Sequence, residues 1–263
     1  MKRIVLFFAI FSVSAACFAI SAGKPVNFEK EGDKYFSLRN SITDTAANLV
    51  NMEQAISNYK LAFEADKNNE KLLLKYGKAL DFKCRFLTPD SDRKSSYEAL
   101  VAQFEPYGKS MSQTKEYNYL MSLFWGQRGD YTPNVLEAAK EGVGDKIKFY
   151  SEALYGMDKS FEDYAACTIL GRLHFKAPYI VFIMTWPDKS KSRAYLEEVH
   201  KGVPDDPQAS HFLADTYWDL GLKDEAVKLL KEAINAQPRK TDWYYDTAAI
   251  GKAKVRAEEL GIE

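Results

Sequence analysis

The sequence predicts an all-α chain: a stack of antiparallel helical hairpins, carrying insertions and closed by a C-terminal capping helix. Three observations predict it. The segment Pro207 to Pro238, PQASHFLADTYWDLGLKDEAVKLLKEAINAQP, sets Leu213, Ala214, Tyr217, Gly221, Ala226, Leu230, Ala233 and Pro238 at the offsets of two apolar helix faces joined by a glycine turn. The same spacing recurs in weaker form along the chain, and no strand-period alternation of any length appears. A hairpin of this size cannot bury its apolar face alone, so the recurrences are its packing partners.

The chain starts MKR, followed by IVLFFAIFSVSAACFAI and then SAGK. A basic start, an apolar run and small residues describe a secretory signal peptide over residues 1–22, with cleavage after Ala19, Ser21 or Ala22. Its strongly apolar part is shorter than the ~20 residues of a membrane span. Cys17 offers an alternative, a lipid anchor, but Ser14 stands where a lipobox carries an aliphatic residue. Soluble export to the periplasm, or another extracytoplasmic space, is the reading taken. Residues 23–263 then form a single helical repeat domain.

Within that domain, a first helix is expected over Gly32 to Ala47. MEQAISNYKLAFEADKNN follows as its partner, with Ala55, Tyr59 and Ala62 on one face. EKLLLKYGKALDFKC pairs Tyr76 with Gly77, and TPDSDRKS interrupts before SSYEALVAQFEPYGKSM resumes as a helix. TKEYNYLMSLFWGQRGD, the loop YTPNVLEAAKEGVG and DKIKFYSEALYGMD give a further pair. A helix over Glu162 to Lys176 carries Leu170-Gly171; its partner carries Ser192, Leu196 and Val199. Pro178 and Pro187 bracket an insertion between them that cannot be continuous helix. TDWYYDTAAIGKAKVRAEELG closes the chain as an amphipathic cap with a charged outer face.

The 207–238 spacing is that of the tetratricopeptide repeat, a 34-residue helix–turn–helix unit. Over nearly the whole exported chain, a more specific resemblance rests on NMEQAISNYKLAFEADKNNEKLLLKYGKAL, YNYLMSLFWGQRGD, ILGRLHFKAP, WPDKSKSRAYLEEV and HFLADTYWDLGLKDEAVKLLKEAI. Together these resemble the T-component family of tripartite ATP-independent periplasmic (TRAP) transporters. The resemblance implies a non-catalytic helical protein that associates with a periplasmic solute-binding protein, with a central pore as a path for a small organic acid. The weak lipobox departs from the lipoprotein members. A second resemblance, to regulators of microtubule dynamics, rests on the LeuGlyArg helix and the last repeat, and the export signal argues against it. The alternative from another class is a cell-envelope scaffold that binds peptides.

Projecting repeat geometry onto the first helices puts Lys71, Lys75 and Lys78 in a concave groove, with Arg172 and Lys176 further along it. His211, Asp215 and Trp218 would form its far end, and Trp186 in the insertion would close over a pocket or plug a gap between hairpins. Such a groove suits a carboxylate or an acidic peptide end. The competing reading makes the lysines a solvated helix face and Arg172 half of a structural ion pair. His211 and Asp215, one turn apart, read as a hydrogen bond on a helix surface.

Composition narrows the function classes. The chain has 36 Lys and Arg against 37 Asp and Glu, a formal charge of −1, so nothing marks it for nucleic acid. Its 3 His lie in no metal spacing, and no nucleophile elbow, P-loop or dinucleotide glycine pattern is present. No cofactor and no catalytic residue are expected. Cys84 and Cys167 sit on apolar helix faces and are expected as buried free thiols, the alternative being a disulfide in an oxidising compartment. Exposed aromatics and open array ends would favour a homo-oligomer.

Overall fold

The computed structural model describes residues 26–40, 44–182 and 184–262. The signal-peptide reading and Cys17 therefore lie outside the described residues. The described chain is helical; its one β contact is an isolated bridge between Ile180 and Met184. None of these helices is long and apolar enough to cross a membrane.

The array opens with α1 (Phe28–Ser37) against α2 (Thr45–Ala65). The expected helix over Gly32 to Ala47 is wrong, because a 3-10 turn at Leu38–Asn40 ends the first segment and Asp44 caps the next through the Ala47 N–H. Next come α3 (Glu70–Phe82), extended by a π-turn at Lys83–Leu87, and α4 (Asp90–Phe104). TPDSDRKS is not an interruption: only Thr88 and Pro89 lie outside helix, and the acids Asp90 and Asp92 favour the start of α4. Beyond α4 the predicted continuation breaks into a 3-10 turn at Glu105–Tyr107 and the single turn α5 (Gly108–Met111), since Pro106 enters the chain there.

α6 (Lys115–Asp130) packs on α3, on α4 and on α8 (Val143–Met157). The segment expected as a loop before α8 instead holds α7 (Val135–Lys140), which Asn134 caps by accepting from two backbone N–H groups. α9 (Phe161–Lys176) pairs with α10 (Lys189–Gly202), then α11 (Pro207–Asp219) with α12 (Lys223–Asn235), and α13 (Trp243–Glu259) ends the chain. α11 has its sequence signature in place: Asp206 accepts from the Gln208 N–H, Pro207 opens the helix, and Gly221 takes φ +82° in the turn to α12.

Two glycines set helix spacing. A Cβ at Gly77 would stand 2.5 Å from Leu120 Cδ2, and one at Gly171 would stand 2.6 Å from Leu196 Cγ, so neighbouring helices approach at these points as only glycine allows. α9 differs from its expected form at its start. Glu162, Asp163 and Tyr164 all adopt left-handed dihedrals, a cost of about 1–2 kcal/mol for each such residue. Two contacts hold that turn: Lys78 on α3 donates to Glu162, and the Tyr164 ring occupies the space that a side chain at Gly202 would fill.

α13 is not a simple outer cap. Tyr244 and Tyr245 at its start pack edge-on and tilted against Phe82 and Phe86, with ring centroids 4.9–6.2 Å apart. The Tyr245 hydroxyl donates to Asp81 at 3.3 Å, and Arg39 and Asn40 donate to the Thr241 carbonyl at 3.1 and 2.6 Å. The last helix thus meets the first hairpins, and the array closes on itself. Among the described residues the array therefore shows no open ends, one of the two grounds given for a homo-oligomer. Cys84 and Cys167 are both free and buried, and desolvation pushes each thiol up to about 12.

Candidate functional site

Closure of the array encloses a cleft of about 790 Å³. The first helices of successive hairpins form its wall: Leu123 and Gln127 from α6, Ile169 and Arg172 from α9, His211 and Phe212 from α11, and Ala248 and Lys252 from α13. Arg85 and Phe86 from the end of α3 reach in at one side, and Val143 and Ile147 of α8 make an apolar wall. A shallower cavity of about 630 Å³ adjoins it and shares Arg172, His211, Ala248 and Lys252. Both volumes fall in the range of small-molecule pockets.

Asp215 organises the polar end. Its carboxylate is 6% exposed and receives Arg172 Nη1 at 2.8 Å and Arg256 Nε at 2.9 Å, so one acid ties α9, α11 and α13 together. The Arg172 guanidinium also lies 4.3 Å from the Phe212 ring centre and 5.0 Å from that of Phe175. His211 is buried beside them. Its Nε2 stands 3.7 Å from Asp215 Oδ2, and its Nδ1 has no hydrogen-bond partner. The expected surface hydrogen bond is therefore wrong on both counts: the pair is buried and too long. Desolvation, with Arg172, Lys252 and Arg256 against the opposing pull of Asp215, brings the imidazole down to about 4, so it is neutral at pH 7.

Arg85 anchors the opposite side. It bonds Asp81 at 3.2 Å, and Asp81 also accepts from the Tyr97 hydroxyl at 2.9 Å and from Tyr245. Burial works against the charge on Arg85, but Asp81 together with Tyr97, Tyr245 and Tyr119 outweighs it and keeps the guanidinium firmly protonated. Its Nε is buried with no partner.

Of the residues singled out from the sequence, Arg172, Lys176 and His211 line the cleft, and Asp215 lies directly behind them in the adjoining cavity. The lysines of α3 do not. Lys75 turns to Glu29 and Asp33 on α1 at 2.7 and 2.8 Å, Lys78 turns to Glu162 on α9, and Lys71 is exposed to solvent away from the cleft. The projected groove misses them because α3 contributes only its C-terminal end to the wall. Trp218 is half-buried under the Lys223 ammonium on the outer side. Trp186 plugs a gap rather than covering a pocket: it donates to Asp145 at 3.0 Å and meets His174 edge-on. Lys176 pairs with Asp130 at 2.6 Å at the rim.

Sequence reasoning missed Arg85, Asp81, Tyr245, Lys252 and Arg256. A cation inside the apolar stretch ALDFKCRFL was a signal for Arg85, as Arg172 is within ILGRLHF. Lys252 and Arg256 were read as the outer face of a cap, and in the closed array they line the cavities instead, Lys252 still exposed to solvent and Arg256 half-buried. Among the described residues no group of three or more His, Cys, Asp and Glu could hold a metal ion.

Comparison with known proteins bears on the same region. Residues 191–249, from α10 to the first part of α13, match the tetratricopeptide repeat family. The chain has a tetratricopeptide-like fold. No curated protein matches it. Two crystal structures of MamA are similar in outline. One is 18% identical over 78% of this chain and 91% of that one, with a TM-score of 0.40. The other is 21% identical over 86% and 96%, with a TM-score of 0.39. Tetratricopeptide-like arrays are protein-interaction scaffolds that present the first helices of their hairpins on a concave surface, and the cleft of this chain is built in that way.

Proposed function

We propose that the chain is an exported, non-catalytic scaffold that docks a periplasmic solute-binding protein, as the T-component of a TRAP-type uptake system. The sequence segments quoted above support the family, and the apolar start supports export. The insertion between α9 and α10 is the observation that carries the docking role. Ile180 and Met184 exchange two backbone hydrogen bonds of 2.8 and 2.7 Å, and Met184 is buried against Gly144 and Trp186. This anchors a projecting turn whose tip holds Val181 and Phe182, with Phe182 99% exposed and Tyr179 largely so. A folded chain leaves such apolar side chains in water where a partner covers them. The turn starts from Ala177 and Pro178 at the cleft wall, so a partner held there would face the cleft.

The test is co-purification with the exported solute-binding protein encoded beside a TRAP permease. The expected result is a complex at micromolar concentrations that weakens at least tenfold when Val181 and Phe182 are both changed to Ser. No association in either ligand state of the partner contradicts the proposal. The repeat match favours a second reading, a cell-envelope scaffold that binds peptides in the cleft; retention of an acidic peptide instead of the solute-binding protein would select it.

A further inference from the structure

Charge in the cleft does not balance. Arg85 has Asp81, Arg93 has Asp90, Lys176 has Asp130, and Arg172 and Arg256 share Asp215, with Glu259 a second partner for Arg256 at 3.0 Å. Lys252 lines both cavities while remaining exposed to solvent, and it forms no ion pair among the described residues. Its ammonium is held below the ordinary lysine value, first by desolvation, which Asp130 opposes, and then by Arg85, Lys176 and Arg172 around it. The cluster is therefore one negative charge short. Two further groups on this wall are incomplete: Arg85 Nε and the buried His211 Nδ1 have no hydrogen-bond partner. A buried polar atom left unpaired costs about 1–3 kcal/mol, which a fold retains where something else completes it.

The rest of the wall is apolar. Leu123, Val143, Ile147, Ile169 and Leu173 face a space large enough for a drug-sized molecule. A small hydrophilic anion would satisfy Lys252 and leave these side chains against water. A neutral hydrophobe would fill the space and leave the ammonium unpaired.

We propose that this cleft is a binding site for an amphipathic monoanion, its single carboxylate held at Lys252 beside Arg85 and its apolar chain lying along Leu123, Ile147 and Ile169. This goes beyond docking of a protein partner: it makes the chain a ligand carrier in its own right, and it stands whether or not a solute-binding protein associates. The same chemistry is offered by a free amphiphile and by a phospholipid surface. Seven helices, α4, α6, α7, α8, α9, α11 and α13, contribute to its walls, which suits a free amphiphile.

The experiment is titration calorimetry of the full chain with decanoate, decanol and acetate, all below micelle formation, together with sedimentation on phosphatidylglycerol vesicles. Decanoate is expected to bind at one site per chain, decanol at least tenfold more weakly, acetate not at all, and the vesicles are expected to leave the protein in solution. Lys252→Ala should weaken decanoate about ten- to a hundredfold, the loss of one charge-assisted contact, with its thermal midpoint unchanged, and Lys252→Arg should restore binding. Leu123→Asp, which puts a charge where the chain lies, should abolish decanoate binding. Equal affinity for decanoate and decanol, binding only to vesicles, absence of decanoate binding, or an undiminished Lys252→Ala would each overturn the proposal.

Discussion

Asp215→Asn removes one negative charge and keeps the shape of the side chain. In the native protein that charge holds two guanidinium groups at 2.8 and 2.9 Å from an almost fully buried carboxylate. Arg172 and Arg256 are 20% and 27% exposed, so solvent screens them in part. Breaking a fully buried pair costs about 3–5 kcal/mol, and an exposed pair contributes at most ~1 kcal/mol. Two partly screened partners on one buried acid place the loss at about 2–4 kcal/mol. After the substitution Arg172, Arg256 and Lys252 also repel one another with no acid between the two arginines. For a chain of this size the midpoint should fall by roughly 5–15 °C. Thermal and urea unfolding followed by circular dichroism measure it, and the double variant Asp215→Asn/Arg256→Met should recover part of the loss. High salt should restore little, because the carboxylate is shielded from mobile ions. A loss below about 0.5 kcal/mol would refute the idea that one acid ties α9, α11 and α13 together.

Three further outcomes follow from the same geometry. Gly171→Ala should destabilise the fold by about 1–2 kcal/mol despite the better helix propensity of alanine, since its Cβ would overlap Leu196; a gain in urea midpoint would show that α9 and α10 are not in close contact. His211 takes its proton near pH 4 in the fold and near 6.5 when unfolded, so the unfolded chain protonates first as pH falls. Stability should therefore drop between about pH 6.5 and 4, by roughly 2–3 kcal/mol, with His174 adding a change of the same sign; a His211→Asn variant with the same pH slope as the parent would contradict this. Cys84 and Cys167 should resist iodoacetamide in the native protein and both react on denaturation without reductant, as mass spectrometry would show; only the reduced sample reacting would mean a disulfide.

Helix existence was legible in the sequence because apolar spacing survives even in eroded repeats. Tyr59, Leu170, Leu196 and Leu213 are all fully buried or nearly so, at the positions the period assigned to the core. Element ends were less legible. The break at Leu38–Asn40 and the start of α4 at Asp90 depend on capping and on tertiary contacts, which override a periodic pattern. The site was half legible. Arg172 stood out as a charge in an apolar helix, and its partner Asp215 was named, but their pairing across two hairpins needs the superhelix. Lys75 and Lys78 share the spacing of groove residues and still turn to other acids. Nothing local in TDWYYDTAAIGKAKVRAEELG says that its tyrosines reach back to Phe82 and Phe86, because that contact joins residues more than 150 positions apart.

Closure of the array around the cleft is the claim on which both the carrier role and the placement of Lys252 depend. Its most direct measurement is a cross-link between Asn40→Cys and Thr241→Cys, positions joined by a 2.6 Å hydrogen bond, in a background with Cys84 and Cys167 replaced by Ala. Mild oxidation of the dilute monomer should form an intramolecular disulfide quickly and nearly completely, seen as a faster-running band on a non-reducing gel. A chain that stays reduced, or that links only to other chains, would mean that the ends stand apart and that the cleft is open.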